Sequence, residues 1–430
     1  MDGAGSEPPA GAATIEAEQL NRGCYCVTLD RSELAEALDR EVAMEGFADR
    51  LSRSHLTLFS NVPVFVPSGT LAEMAQIVAS VEAAARLPQY RALALTYAPS
   101  VATCDFGPVG AMMGYDFHVT VEGPKLIEVN TNAGGAFLNA ILARAQRACC
   151  AAAFPPFEAD TAAKFGAGVA QMFIGEWRRQ RRAGQPRRIA IVDDAPEEQH
   201  LFPEFQLAKA LLEARGMEAV IVDPGDLELD GVGLAFHGLP IDLVYNRLVD
   251  FALDEPRHAA LRAAYLNDGV VVTPNPHVHA LFADKRNMAA LSDTKALTSW
   301  GLAPTDVAVL QRGVLRTVVV SANNIDDLWR ERRGLFFKPA RGYASKAAYR
   351  GEKLTHKVWA DISAGEYVAQ AYAAPSSRGV AVDGERTELK VDVRLYTYAG
   401  SPLLAAARLY RGQTTNMRTP GGGFAPVLQV

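Results

Sequence analysis

MGYDFHVTVEGPKLIEVNTNAGG, residues 113–135, is the stretch on which the reading of the whole chain turns. Met113 to Val121 alternates like a strand, Glu122-Gly123-Pro124 is turn chemistry, and Lys125 to Val129 reads as the return strand. A hairpin centred near Glu122 sets Asp116 opposite Glu128, since each lies six residues from the centre. Directly opposed residues have Cβ atoms roughly 5 Å apart. Glu128 and Asn130 are two apart and share a face. Two carboxylates and an amide oxygen therefore converge, with no cationic hairpin residue between them. Unpaired carboxylates that close repel, so a cation is expected there. All-oxygen ligands suit Mg²⁺ or Mn²⁺, with water and substrate phosphates completing the shell. Taken alone, a Glu-x-Asn pattern is an ordinary polar hairpin with a helix cap at Asn132.

Composition bounds the function classes. A chain of 430 residues can hold two or three packed units. It is 49% hydrophobic and 21% charged, with net charge −6 and pI about 5.8, which argues against nucleic acid as a partner. No apolar run reaches the roughly 18 residues of a membrane span, so no membrane partner is expected. Met1 to Ala13 is rich in Gly, Pro and Ala and lacks a basic start and an apolar stretch, so it reads as a loose tail and not a signal peptide. The five cysteines, among them Cys24, Cys26, Cys149 and Cys150, show no zinc spacing. They read as reduced thiols of a cytoplasmic protein.

Along the chain, residues 1–59 read as a mostly helical N-terminal extension. Residues 60–66 form a short apolar strand, and Thr70, with Glu73 three residues on, is a capping box for a helix whose apolar face includes Leu71, Met74, Ile77, Val78 and Val81. Residues 136–182 are largely helical and end in arginines. RIAIVDD (188–194), EAVIVDP (218–224), IDLVYNR (241–247) and VVVTPN (270–275) are strands alternating with helices, which means a parallel α/β sheet. Neither GxGxxG nor GxxxxGK[ST] is present at these strands, so a dinucleotide or Walker-type site is not supported. Further on come LFADKRNMAALSDTKALTSWGLAPT (281–305), LFFKPARGYAS (335–345), YVAQAY (367–372), ELKVDVRLYTYAGSPLLAAARLYR (388–411) and TTNMRTPGGG (414–423).

These pieces resemble the ATP-grasp ligases. GYDFHVTVEGPKLIEVNTNAGG is similar to the metal-binding hairpin of that family, which there comes last. Here it precedes the entry helix, the lysine strand and the hinge strand. The order is cyclically consistent over residues 60–430 and resembles a circularly permuted member, as in glutathionylspermidine synthetase and its relatives. The resemblance implies an α/β (α+β) fold: a circularly permuted ATP-grasp core with a small parallel α/β pre-ATP-grasp domain. The segments would be 60–185, carrying the metal hairpin and following helices; 186–284, the pre-ATP-grasp domain; 285–375, the nucleotide-binding subdomain; and 376–430, the remaining core strands. Strands 388–411 should then join the hairpin's sheet, and Val427 to Val430 should lie beside Asn61 to Pro67.

The resemblance also implies roles. Asp116, Glu128 and Asn130 would hold two Mg²⁺ ions, with Mn²⁺ an alternative. Lys285 and Lys338 would neutralise the phosphates of ATP, and Gly342 and Ser345 belong to a loop over them. Gln370, Ala371 and Ala373 would face adenine through backbone groups, and Glu388 the ribose. Arg394, Arg408, Asn416 and Arg341 would line the catalytic end, stabilising charge on the transferred phosphoryl group. Many members carry arginine two residues before the metal-binding Asp; here that residue is Gly114, and Arg408 or Arg341 would supply the charge. The implied activity is an ADP-forming carboxylate–amine ligase acting on small-molecule carboxylate and amine substrates, with a homodimer left open. The alternatives are an ATP-dependent phosphotransferase and a non-catalytic nucleotide-binding protein.

Overall fold

The hairpin forms as two antiparallel strands, Met113–Thr120 and Gly123–Asn130. Asp116 pairs with Glu128, as the alternation implies, but the turn is tighter than expected: Thr120 faces Gly123 and Phe117 faces Leu126. A bulge between Asp116 and Phe117 leaves Ile127 as the extra residue and restores the Asp116–Glu128 pairing. The computed structural model describes residues 10–145, 161–181, 183–342, 347–416 and 418–430. Cys149, Cys150 and Ser345 therefore lie outside the described residues.

Around the hairpin runs a seven-stranded sheet. Its order is Val64–Val66, Gly423–Gln429, Ser401–Tyr410, Glu385–Tyr398, then the two hairpin strands, with Ser376–Val382 also paired to Glu385–Tyr398. The strand Glu385–Tyr398 sets Arg394 against Asp116 and, on its other side, Asp392 against Arg408. Neighbours in this sheet are thus drawn from opposite ends of the chain, against the usual preference for sequence-adjacent pairing. The closing contact is parallel: Val64 pairs with Val427, and the carbonyl of Val430 accepts from the Ser68 backbone N–H (2.8 Å) and hydroxyl (2.7 Å).

One face of the sheet is covered by the helix Thr70–Ala85, whose Met74, Val78 and Val81 are fully buried. That helix starts one residue earlier than a cap at Thr70 would give. Gly69, at φ +89°, is its N-cap and no side chain caps it. The other face packs against Ala136–Arg144 and Thr161–Arg181. The expected N-terminal helices are present as Ala10–Gly23, Arg31–Val42 and Phe47–Ser54.

A second sheet is parallel, in the order Val271–Thr273, Leu243–Asn246, Arg188–Val192, Glu218–Val222. These are the four apolar runs expected from the sequence. A small antiparallel sheet spanning 228–241 was not foreseen. The helix Phe202–Ala214 is closed just past its end by Gly216, at φ +77°. The third sheet, antiparallel, runs Thr317–Val319, Tyr367–Ala371, Leu335–Pro339, Tyr349–Arg350. Residues 281–305 do not form one entry helix. They break at Asp284 and again at Asp293, which caps Thr294–Ser299 through Oδ1. Among the described residues no helix is long and apolar enough to cross a membrane.

Removing Leu428 to Val430 takes away two nearly buried apolar side chains that pack on Phe65 and Ala17. At roughly 1.5–3 kcal/mol per large apolar side chain the truncation should cost about 3–6 kcal/mol. Urea denaturation of the truncated chain checks this; an unchanged midpoint would mean that the last strand does not brace the sheet.

Candidate active site

Asp116 is the buried centre of the site, 2% exposed. Arg394 donates to it twice, Nε to Oδ1 at 2.6 Å and Nη2 to Oδ2 at 2.8 Å. Arg408 donates Nη2 to Oδ2 at 2.8 Å, and the Asn130 amide adds a fourth donor at 3.0 Å. Burial alone would raise the Asp116 pKa, but Arg394 and Arg408 outweigh it and hold the carboxyl well below the usual carboxylate range. Arg408 also donates Nε to Asp392 at 2.7 Å, and Thr415 closes on the other Asp392 oxygen at 2.7 Å.

Gly114 is explained by the same clamp. A Cβ there would lie 2.6 Å from that of Ala133 and 3.2 Å from the Arg394 side chain. Arg394, arriving from the neighbouring strand, fills the space beside Gly114. The charge expected there from Arg408 or Arg341 is thus supplied chiefly by Arg394, with Arg408 second.

Across from the clamp stands Lys338, 8% exposed, on the strand Leu335–Pro339. Its Nζ donates to the Gln370 Oε1 at 2.8 Å and to the carbonyl of the bulged Ile127 at 3.1 Å. The bulge thus turns a carbonyl out of the ladder and onto the lysine. Burial, partly offset by Glu128 and Asp116 and reinforced by Lys285, brings the Lys338 pKa down to about 8. His118 donates its Nδ1–H to the Ala373 carbonyl, 2.7 Å away, and burial keeps its pKa low.

These groups line a cavity of about 290 Å³ between the large sheet and the third sheet. Its carboxylates are Asp116, Glu128 and Asp392; its cations are Lys285, Lys338, Lys390, Arg394 and Arg408. The excess of positive charge suits a polyanion. A second cavity of about 490 Å³ adjoins it and shares Asn130, Lys285 and Gly342 with it.

The other expected site residues fall variously. Gln370, Ala371 and Ala373 line the first cavity. Their expected backbone role is limited, because the Ala371 N–H is given to the Arg316 carbonyl (2.8 Å) and the Ala373 carbonyl to His118. The Gln370 side chain instead positions Lys338. Glu388 is exposed and outside the cavity lining, where Lys390, two residues on, takes the inner place. Asn416 is exposed and caps its own loop through the Arg418 N–H (3.0 Å); Thr415 reaches inward instead. Arg341 lines only the second cavity, held by the Tyr97 carbonyl and 3.8 Å from Asp284. Sequence reasoning missed Asp392, Thr415, His118 and Lys390. The alternation of Lys390, Asp392 and Arg394 along one strand face was the available signal for two of them.

The donor set accommodates a hard cation in part. The Asn130 NH₂ points at Asp116 and, at 3.4 Å, at Glu128, which leaves the Asn130 amide oxygen and Glu128 available as oxygen ligands. Asp116 is committed to guanidinium groups and acts as their anchor. The helix Ala136–Arg144 offers no anion site, because the buried Glu204 already accepts from Gly135, Phe137 and Leu138 at its N-terminus. Gly135 is required there: φ is +95° and a Cβ would lie 2.2 Å from the Phe424 ring. In the parallel-sheet region Asp194, Glu255 and His258 also gather, but both His258 nitrogens are taken, by Asp194 (3.0 Å) and Asp250 (2.8 Å).

No family model matches the chain, and no curated protein matches it. Solved structures do. A glutathione synthetase-like effector from Globodera pallida, in apo form, aligns over 94% of this chain and 100% of its own at 12% identity and TM-score 0.56. A protein provisionally assigned as a gamma-glutamylcysteine synthetase from Methylobacillus flagellatus aligns over 84% and 88% at 10% identity and TM-score 0.47. D-alanyl-alanine synthetase A from Vibrio cholerae aligns over 54% and 69% at 14% identity and TM-score 0.29. The first of these establishes a shared fold along nearly the whole chain. The mixed α/β architecture read from the sequence is the one observed, and it is the fold shared with that structure.

Replacing Arg394 by Ala leaves Asp116 buried with one guanidinium, and loss of a partner from a buried pair costs about 3–5 kcal/mol. Because the folded pKa of Asp116 is depressed, its contribution is full above the unfolded value of about 3.9 and fades as pH falls through the folded one. The destabilisation of Arg394→Ala should therefore be full at pH 7 and shrink below about pH 4. Urea titrations at both pH values measure it.

Proposed function

We propose that this chain, an ATP-grasp protein by fold, is an ATP- and Mg²⁺-dependent ligase that activates a carboxylate for attack by an amine. The observation that carries this reading is the cationic cavity. Four separate chain segments bring a buried lysine, two arginines and the Glu128–Asn130 pair to one space. Isolated cations are common on surfaces. Asp116 and Asp392 pair with the two arginines, yet the five cations of the lining, the buried Lys338 among them, still outnumber its three carboxylates, and a bound anion would compensate them. The chain order is read as a circular permutation, supported by the pairing of Val64–Val66 with Val427–Gln429.

In this reading the nucleotide lies in the first cavity with its phosphates toward Lys338 and Lys285. Glu128 and Asn130 would hold Mg²⁺, which when bound neutralises phosphate charge and orients the transferred group. The substrate carboxylate oxygen attacks the γ-phosphorus. The bond to the β–γ bridging oxygen breaks, and ADP leaves with that electron pair. The resulting acyl phosphate has a good leaving group, so an amine forms the new C–N bond while phosphate departs and the amine loses its proton to solvent or a base. Arg394 and Arg408, fixed by Asp116, present donors preorganised for the charge on the phosphoryl group. Lys338 is oriented by Gln370 and the Ile127 carbonyl.

Carboxylate-dependent ADP release tests the activity, and hydroxylamine trapping of an acyl phosphate separates a ligase from a phosphotransferase. Glu128→Gln should reduce turnover at least 100-fold without altering the fold, by analogy with the loss of one electrostatic group in a preorganised site. Unchanged Mg²⁺-dependent turnover in this variant removes the reading.

Lys338 gives a pH test. Its folded pKa, about 8, lies below the ordinary lysine value near 10.4. Phosphate binding favours the charged form and raises that pKa. Nucleotide binding near pH 8.5 should therefore take up protons, and affinity should fall as pH rises through about 8. Calorimetry in buffers of different ionisation enthalpy reads the proton count; Lys338→Met should abolish the uptake.

A further inference from the structure

The second cavity has a chemistry of its own. It meets the first at Asn130, Lys285 and Gly342, and runs outward between the helices Pro88–Thr96 and Pro276–Phe282 and the loop 249–254. Phe251 and His279 form one wall, their rings stacked 3.4 Å apart between centroids and within 7° of parallel. The His279 Nδ1 is 2.9 Å from the Thr131 hydroxyl. Burial, with Lys285 and Arg341 nearby, lowers its pKa to about 3, so the wall is uncharged. Tyr97 and Pro99 also line the cavity, and Val249, 44% exposed, lies at its solvent side.

The charges of this cavity do not cancel evenly. Each of its acids already has a cationic partner. Arg286 grips Asp284 at 2.6 and 3.0 Å, Arg262 pairs with Asp254, and Asp250 holds His258 at 2.8 Å. The cations are less satisfied. Lys285 donates to the Gly342 carbonyl at 3.0 Å and, among the described residues, has no carboxylate within ion-pair distance. Arg341 stands 3.8 Å from an Asp284 already bound by Arg286. Lys285, half-buried beside the first cavity, is thus the cation left to meet an anion at the inner end; Arg341, 57% exposed and hydrogen-bonded to the Tyr97 carbonyl, flanks it from the solvent side, and the stacked wall suits an apolar body.

We propose that the second cavity binds the acyl donor, and that this donor is a monocarboxylate with an apolar body about the size of a ring or a short chain. The carboxylate lies at Lys285 and Arg341, beside Asn130. The body lies on the Phe251–His279 stack and reaches Val249. Polyamines are disfavoured by the inner cations, and a second carboxylate on the donor would meet the uncharged wall. The inference rests on the first cavity being the nucleotide site, since only then does a carboxylate at the junction face the γ-phosphate.

The test is calorimetric binding to the full chain without nucleotide, using 3-phenylpropanoate, hexanoate, glutarate, 3-phenylpropanamide and spermidine. Mg·ATP binding is followed separately with a fluorescent nucleotide analogue. The two apolar monocarboxylates should bind about tenfold or more tighter than the amide, the dicarboxylate and the polyamine. Phe251→Ala and the rim variant Val249→Asp should each weaken 3-phenylpropanoate about tenfold and leave Mg·ATP binding within about twofold. The rim variant keeps the test independent of folding, because its side chain is already exposed. Tighter binding of glutarate or spermidine, or no change in both variants, overturns the inference. Intact Mg·ATP binding with no preference for apolar carboxylates overturns it alone. Carboxylate binding as expected without Mg·ATP binding overturns the nucleotide reading alone.

Discussion

A single buried carboxylate, Asp116, held between two guanidinium groups, ties the molecule together. Its chain neighbours lie in a hairpin near the start, while Arg394 and Arg408 come from strands close to the other end. An unpaired charge at this depth would cost several kcal/mol, and so would either arginine left alone. Strand register is consequently constrained: a slip of the strand 385–398 by one residue would turn Arg394 and Asp392 to the opposite face and leave Asp116 and Arg408 each short of a partner. The outer tier, Arg408 to Asp392 to Thr415, repeats the device and fixes the segment after Tyr410 against the cavity.

Much of this was legible in the sequence, where local pattern determines local structure. The hairpin, the four parallel strands and the face shared by Glu128 and Asn130 follow from period-two alternation and turn residues. Arg394 and Arg408 could be found because they alternate with apolar neighbours on long strands. The same rule misplaced Glu388. It shares a face with Lys390 and Asp392, but alternation names the face and not how far along it the cavity extends. Asn416 lies beyond the end of its strand, where alternation has no meaning. The Asp116–Glu128 pairing was foreseen from a centre at Glu122, whereas the actual turn is tighter and the bulge at Ile127 makes up the difference.

Other parts were not legible because they are made across the chain. The second cavity joins the end of the hairpin and Lys285, which the sequence pattern picks out, to residues 94–99 and 249–254, which carry no pattern of their own. Gln370 looks like a hinge residue in sequence, yet its side chain spends its hydrogen bonds on Lys338, Ile127 and Thr317. The helix after the hairpin looks ready for an anion until Glu204, from a distant helix, is found in that place.

The bulge at Ile127 has a mechanical side. Its carbonyl receives the Lys338 ammonium and, more weakly, the Gln370 amide, so one displaced peptide group bridges the large sheet and the third sheet. Those two layers are latched at the cavity floor. They cannot separate there without stripping a buried ammonium of one of its two acceptors. A rocking motion that widens the cleft must therefore pivot near this latch, with the largest excursions at the opposite rim. Hydrogen exchange would register such a hinge as slow amides around Lys338.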